Sequence, residues 1–239
     1  MTSTNSFVLS SNGEEWSQVL DLYEQVLRLK ASKMKQASGK SLLTLDSWFQ
    51  KELPKAIQQR DEKYITHEEL AKLMEWKLTR GKFRPRLKEM VKTNSPELVE
   101  GASKKAFKKL PNVGSAIKEL TVLKAVGPAT ASAVLAAGAP ECAPFMADES
   151  MLAVPGCTPL AYTDAAYKRY CEAVQKCVTR LNKGDSSMKW TPHKVELALW
   201  THYMANKLDP SILDQPNGTA PKRKGADEKG EKAKKHRDK

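Results

Sequence analysis

Apolar residues recur at helical spacing through most of this 239-residue chain, and no long stretch alternates apolar and polar residues as a β-strand does. The clearest apolar face comprises Trp16, Val19, Leu20, Tyr23, Val26 and Leu27. Because 40% of the residues are apolar, the chain can bury a substantial core. The sequence therefore predicts an all-α fold, with one helical domain over residues 1–210.

Several helix starts carry recognisable signals. Thr66 and Glu69 match a capping box ahead of an apolar run. Ser95 and Thr191 each precede a proline, which suits the first position of a helix. Asp46 is expected to cap a further helix that begins just after it. The later aromatic residues are expected in the core: Tyr162, Tyr167, Tyr170, Trp190 and Trp200.

The positive charge is unevenly spread over the chain. The formal net charge is +12, and residues 215–239 carry nine lysines and arginines against four acidic residues. Since residues after 210 are almost devoid of apolar side chains, we expect 211–239 to be a disordered basic tail. Its clusters at 222–224 and 232–237 fit a nuclear-import signal, a nucleic-acid arm or a solvated tail without a partner. The remaining, folded part is also basic, which predicts attraction to polyanions such as nucleic acid.

Other features point to an intracellular protein without a cofactor, and the import-signal interpretation of the tail predicts a nuclear one. The four cysteines show no C-x-x-C spacing and no histidine cluster beside them, so neither a zinc site nor a disulfide framework is expected. The first residues lack the basic and apolar segments of a secretory signal. No apolar run is long enough for a membrane helix, so we expect no membrane partner.

The stretch LTVLKAVGPATASAVLA, residues 120–136, is typical of two helices joined by a tight turn. Val126 is expected to point inward, and Pro128 suits the first position of the second helix. Gly127 can adopt a positive φ without strain, and its missing side chain leaves room for a ligand. An ordinary helix pair that only packs the core is the alternative.

The start of the second helix could hold an anion. The first amides of a helix lack an intrahelical partner and carry the positive end of the dipole. The candidate nucleic-acid-binding residues of the hairpin are Val126, Gly127, Ala129 and Thr130, and the amides of the last three are available to a phosphate oxygen. Such a contact reads only the nucleic-acid backbone and is independent of base sequence.

A second basic element, residues 77–90, is a candidate for phosphate contacts. Its candidate nucleic-acid-binding residues are Arg80, Lys82, Arg84 and Arg86, and Lys77 and Lys88 flank them. Phe83 lies among these cations and either stacks on a base or packs inward. The alternative is a solvated helix end whose cations favour the helix dipole.

The hairpin resembles the helix-hairpin-helix signature Leu-x-x-Leu-x-Gly-Val-Gly-x-x-Thr-Ala, with Ala125 in place of the first glycine. In the helix-hairpin-helix DNA glycosylase superfamily, a catalytic aspartate follows the hairpin about twenty residues later, after a short apolar stretch and at a helix start. Asp148 lies 21 residues after Gly127, in that setting. Over residues 95–205 the resemblance implies a glycosylase-like helical domain, a DNA partner, a monomer, and Asp148 as the catalytic residue.

The chain also departs from that family. Ala129 stands in the region where bifunctional members carry a catalytic lysine, so a Schiff-base lyase step is not expected. The cysteine spacing does not match the iron–sulfur members. The resemblance therefore implies a monofunctional N-glycosylase, and a noncatalytic module that binds DNA or a protein is the alternative. Asp148 could also serve only as a helix cap.

Overall fold

The computed structural model describes residues 4–184 and 188–214, and all the regular structure in these ranges is helical. The helices are α1 (Thr4–Leu9), α2 (Gly13–Asp21), α3 (Tyr23–Ser32), α4 (Gln36–Ser47), α5 (Leu53–Gln58), α6 (His67–Arg80), α7 (Pro85–Val91), α8 (Pro96–Lys108), α9 (Val113–Leu120), α10 (Pro128–Gly138), α11 (Asp148–Leu152), α12 (Asp164–Lys183) and α13 (Pro192–Leu208). A π-helical turn, Trp48–Glu52, joins α4 to α5. The predicted all-α class is confirmed.

Helices α10 and α13 are the most deeply buried parts of the molecule. Every residue of α10 after Pro128 is buried, and its small side chains let α5, α6 and α9 pack against it. Helix α13 contacts α2, α3, α11 and α12. The N-terminal helices therefore complete the same hydrophobic core as the C-terminal ones. Within the two described ranges, each helix is too short or too polar to span a membrane.

The body extends slightly beyond its expected end. A 3₁₀ helix, Pro210–Asp214, follows α13, and Ile212 on it is buried in the core. Residues 211–214 were expected in the tail, but the burial of this isoleucine draws them into the folded domain. The basic clusters at 222–224 and 232–237 lie outside the described residues.

The predicted helix caps are confirmed at three starts and wrong at one. Thr66 and Glu69 form the complete capping box, and the side chains of Ser95 and Thr191 accept backbone amides of α8 and α13. Asp46 instead lies inside α4 and is buried. Its Oδ1 accepts hydrogen bonds of 2.9 Å from the Tyr23 hydroxyl and the Trp76 indole, so tertiary partners replace the expected helix amides.

Candidate functional site

A cleft of about 520 Å³ opens where the α9–α10 hairpin, the end of α6 and the start of α11 meet. The hairpin turn forms one side through residues 125–130. The end of α6 and the loop after it contribute Lys77, Lys82 and Arg84, and Asp148 and Tyr162 form the remaining side. The fold therefore brings together the hairpin, part of the basic segment and the predicted catalytic aspartate.

Asp148 is the first residue of α11, and its carboxylate does not cap that helix. The N-cap position is Ala147, with no side-chain cap. The Asp148 oxygens instead accept the Tyr162 hydroxyl at 2.8 and 2.9 Å. The aspartate is half-buried and lines the cleft, so its carboxylate lies within reach of a bound molecule.

Tyr162 is the partner that the sequence did not reveal. It was expected in the core, but 39% of it is exposed, because the loop before α12 places its ring at the edge of the cleft. Burial of the hydroxyl, and then its hydrogen bond to Asp148, raise the pKa of Tyr162. The guanidinium carbon of Arg84 lies 5.3 Å from the ring centre, within cation–π range. The tyrosine thus holds the aspartate on one side and a cation on the other.

The neighbouring carboxylate has a different setting. Glu149 forms an ion pair of 3.7 Å with Lys30, whereas Asp148 has no ion pair within the described part of the chain. Both carboxylates line the cleft. Because its charge is not neutralised by a paired cation, Asp148 is the better placed of the two to stabilise a positive charge on a ligand.

The hairpin turn has the expected shape but a different strained residue. Val126 is buried, as predicted. The left-handed conformation belongs to Ala125, with φ of 65°, and not to Gly127, with φ of −94°. A Cβ added at Gly127 would meet no protein atom within 4 Å. The turn therefore does not require this glycine, and its missing side chain leaves space open beside the cleft.

Fewer backbone amides are free at the start of α10 than the sequence predicted. The Thr130 amide donates to the Gly127 carbonyl at 3.0 Å, and the Thr130 side chain is buried. The amides of Gly127 and Ala129 have no acceptor in the described part of the protein. An anion at this helix start would therefore meet two backbone donors.

The strain at Ala125 leads to a stability prediction. We expect Ala125→Gly to stabilise the protein by up to about 1 kcal/mol, because glycine adopts a positive φ without the steric cost that an L-residue meets. Chemical denaturation measures this change. The same substitution at Ala116, which is buried inside α9, is the matched control and should destabilise. A loss of stability at both positions would show that the turn stores no such strain.

The basic segment divides into exposed and buried parts. Lys82 and Arg84 are exposed and line the cleft, and Phe83 between them is 71% exposed. Arg86 is exposed on α7, outside the cleft lining. Phe83 therefore does not pack inward, and it presents an apolar ring between two cations.

Arg80 was expected on this basic surface, and that prediction was wrong. Only 1% of it is exposed, and its guanidinium lies 3.4 Å from the Glu196 carboxylate. Four aromatic rings surround the guanidinium carbon at 4.5–5.9 Å: Tyr23, Trp76, Phe145 and Trp200. Arg80 lies four residues after buried Trp76, so it falls on the inner face of α6. It supports the floor of the cleft and is not available for surface contact with a phosphate.

Comparison with known proteins identifies no relative. The chain matches no protein-family model, no curated protein and no solved structure among those with which it was compared. The functional interpretation therefore depends on the cleft itself.

Proposed function

We propose that this protein binds duplex DNA across the cleft and hydrolyses an N-glycosidic bond there, with Asp148 as the catalytic carboxylate. One observation carries the proposal: Asp148 is free of a capping role and lines the same cleft as the open backbone at Gly127. The hairpin resemblance, with its expected aspartate, is consistent with this arrangement.

DNA binding is supported by the charge and backbone around the cleft. Lys82 and Arg84 supply exposed cations, and the amides of Gly127 and Ala129, which find no acceptor among the described residues, supply neutral donors. Both kinds of group bind phosphate oxygens without regard to base sequence. Phe83 adds a ring that could stack on a base displaced from the helix. The proposed occupant is therefore a duplex whose target nucleotide turns out into the cleft.

Catalysis would use the negative charge of Asp148. Cleavage of an N-glycosidic bond builds positive, oxocarbenium-like charge on the sugar. A fixed carboxylate beside that sugar stabilises the charge and can accept a proton from the attacking water. The Tyr162 hydroxyl holds both Asp148 oxygens in place, so the carboxylate needs little reorganisation when the charge develops.

The DNA-binding part of the proposal is tested at Gly127. We expect Gly127→Glu to weaken duplex binding about tenfold or more, because the new carboxylate would fill the open space and repel the phosphate. Fluorescence anisotropy with a short labelled duplex, over a range of salt concentrations, gives the affinity. Wild-type affinity should fall steeply as salt rises.

Gly101 offers a matched control for that measurement. A Cβ at Gly101 also meets no protein atom within 4 Å, but Gly101 lies on α8 and does not line the cleft. Gly101→Glu adds the same charge to the full chain and should change affinity little. Equal losses for the two variants would mean that net charge alone governs binding and that the hairpin does not contact DNA.

A further inference from the structure

A buried asparagine from a neighbouring loop holds the backbone of the hairpin turn. Asn94 lies between α7 and α8 and is 5% exposed. Its side-chain NH₂ donates to the Lys124 carbonyl at 3.1 Å, and its Oδ1 accepts the Lys124 amide at 2.8 Å. The NH₂ group also donates to the Val91 carbonyl, at the end of α7, at 2.7 Å. One side chain therefore fixes both backbone polar groups of Lys124, 30 positions away in the sequence.

Lys124 and Ala125 are the two central residues of a β-turn. The Val126 amide donates to the Leu123 carbonyl at 3.2 Å and closes this turn. Of the two central residues only Ala125 has a positive φ, which is the type II pattern. A flip of the peptide between Lys124 and Ala125 would give a type I turn, in which φ is negative at both central residues. Type I suits alanine better, because it does not need the left-handed conformation.

The orientation of that peptide decides which backbone group faces the cleft. The N–H and C=O of a trans peptide point in opposite directions. Since the Lys124 carbonyl points to Asn94, which lies outside the cleft lining, the Ala125 N–H points away from Asn94. Ala125 lines the cleft, and its amide has no acceptor within the described part of the chain. A flipped peptide would present the Lys124 carbonyl on this side in place of the amide.

We propose that Asn94 is a positioning residue for DNA: it holds the peptide so that the Ala125 amide, and not the Lys124 carbonyl, faces a bound phosphate. This inference rests on the proposed DNA binding in the cleft. A backbone amide attracts a phosphate oxygen, whereas a carbonyl oxygen repels it. The hairpin signature has glycine at position 125, which adopts a positive φ without strain. Here an alanine stands there, and the hydrogen bonds of Asn94 keep the turn in the conformation that alanine disfavours.

Two measurements on the full-length protein test this role. Nuclear magnetic resonance of the free protein reports the peptide orientation, because the Lys124 Hα lies close to the Ala125 amide proton in a type II turn and farther from it in type I. We expect a strong nuclear Overhauser effect between these protons in the wild type and a weak one in Asn94→Ala. Fluorescence anisotropy with an undamaged labelled duplex at low salt should give an affinity about tenfold lower for Asn94→Ala.

Glycine at position 125 distinguishes positioning from a general support of the fold. Glycine favours the type II turn without help from another residue. Asn94→Ala should therefore lower the affinity about twofold or less in a protein that already carries Ala125→Gly. Asn94→Asp keeps the acceptor for the Lys124 amide and removes only the donor to its carbonyl. It should weaken the Overhauser effect in the same way, and it replaces Asn94→Ala in the first measurement if that variant does not fold.

Asn182 offers a matched control. Its side chain donates to the Trp190 carbonyl at 3.0 Å and accepts the Trp190 amide at 2.8 Å, so it makes the same pair of backbone hydrogen bonds. Both residues lie outside the cleft lining. Asn182→Ala should leave the duplex affinity unchanged. Circular dichroism checks that each variant is folded.

The outcomes separate this inference from the proposed function. If the wild type binds the duplex and Asn94→Ala binds it equally well, or keeps the strong Overhauser effect, the role of Asn94 is overturned and DNA binding stands. Equal losses of affinity with alanine and with glycine at position 125 would also overturn that role. A wild-type protein that does not bind the duplex at low salt would overturn both.

Discussion

Replacing Asp148 by asparagine should lower base release by about 10²- to 10⁴-fold while the protein stays folded and bound to DNA. Asparagine has the same shape, and its amide oxygen can still accept the Tyr162 hydroxyl. It lacks the negative charge that would stabilise the sugar in the transition state. Because the Asp148 side chain does not cap α11, its loss should leave that helix in place.

The measurement is single-turnover base release from a panel of duplexes that carry damaged or mismatched bases. Glu149→Gln is the matched control, because the adjacent carboxylate is already paired with Lys30. Tyr162→Phe should have a smaller effect than Asp148→Asn, since it removes only the hydroxyl that holds the carboxylate. Release that is equal in Asp148→Asn and in the wild type would exclude Asp148 as the catalytic group.

The same panel addresses the noncatalytic alternative. If the wild-type protein binds these duplexes but releases no base from any of them, the protein is a DNA-binding module without this reaction. In that case Asp148→Asn should strengthen binding to DNA slightly, because it removes a negative charge from the cleft.

The second large effect is expected on stability, at the buried Arg80–Glu196 pair. Arg80→Met should destabilise the protein by about 3–5 kcal/mol, because it leaves the Glu196 carboxylate buried without its cation. That loss is a large share of the stability of a typical domain. Chemical denaturation monitored by circular dichroism measures it. Arg84→Met, at an exposed position, is the matched control and should change stability by less than about 0.5 kcal/mol.

Replacing both partners should restore much of the loss. The double variant Arg80→Met/Glu196→Met fills the site with apolar side chains and no longer leaves the Glu196 carboxylate without its cation, so it should be more stable than Arg80→Met alone. If the loss of unfolding free energy in the double variant equals the sum of the losses in Arg80→Met and Glu196→Met, the two side chains do not stabilise each other. Arg80→Met and the double variant both carry methionine at position 80, so the comparison reports the effect of replacing Glu196.

The pH dependence of the single variant has a defined sign. Burial already raises the pKa of Glu196 to about 7 in the wild type, despite the opposing charge of Arg80. Without Arg80 the folded-state pKa should rise further above its unfolded value. A raised pKa adds stability at low pH that is lost as pH rises through the folded-state value. Arg80→Met should therefore be less destabilised near about pH 5 than near about pH 8.

Local sequence signals predicted the parts of the fold that depend on neighbours along the chain. The caps at Thr66, Ser95 and Thr191 are bonds between residues three apart, so the spacing alone reveals them. The hairpin was also visible, because Pro128 and the small residues around it restrict the backbone locally. The residue with the positive φ was not visible in the sequence. It is Ala125, although glycine adopts a positive φ most readily.

Contacts between distant segments decided the rest. In the sequence Arg80 resembles its neighbours Lys82 and Arg84, and the fold buries it beside Glu196, 116 positions away. The hydrogen bond between Tyr162 and Asp148 likewise depends on a loop whose path has no local signal.

The sequence by itself determined the all-α class of the described residues, the main helix starts, the hairpin and an aspartate 21 residues after Gly127. Periodicity and capping act over one or two helical turns, so they can be read from the chain directly. Only the tertiary structure decided which charges face the cleft and which are buried, because that outcome depends on the packing of helices far apart in sequence. The pairing of Asp148 with Tyr162, the hydrogen bonds of Asn94 to the hairpin turn and the burial of Arg80 all arise at that level.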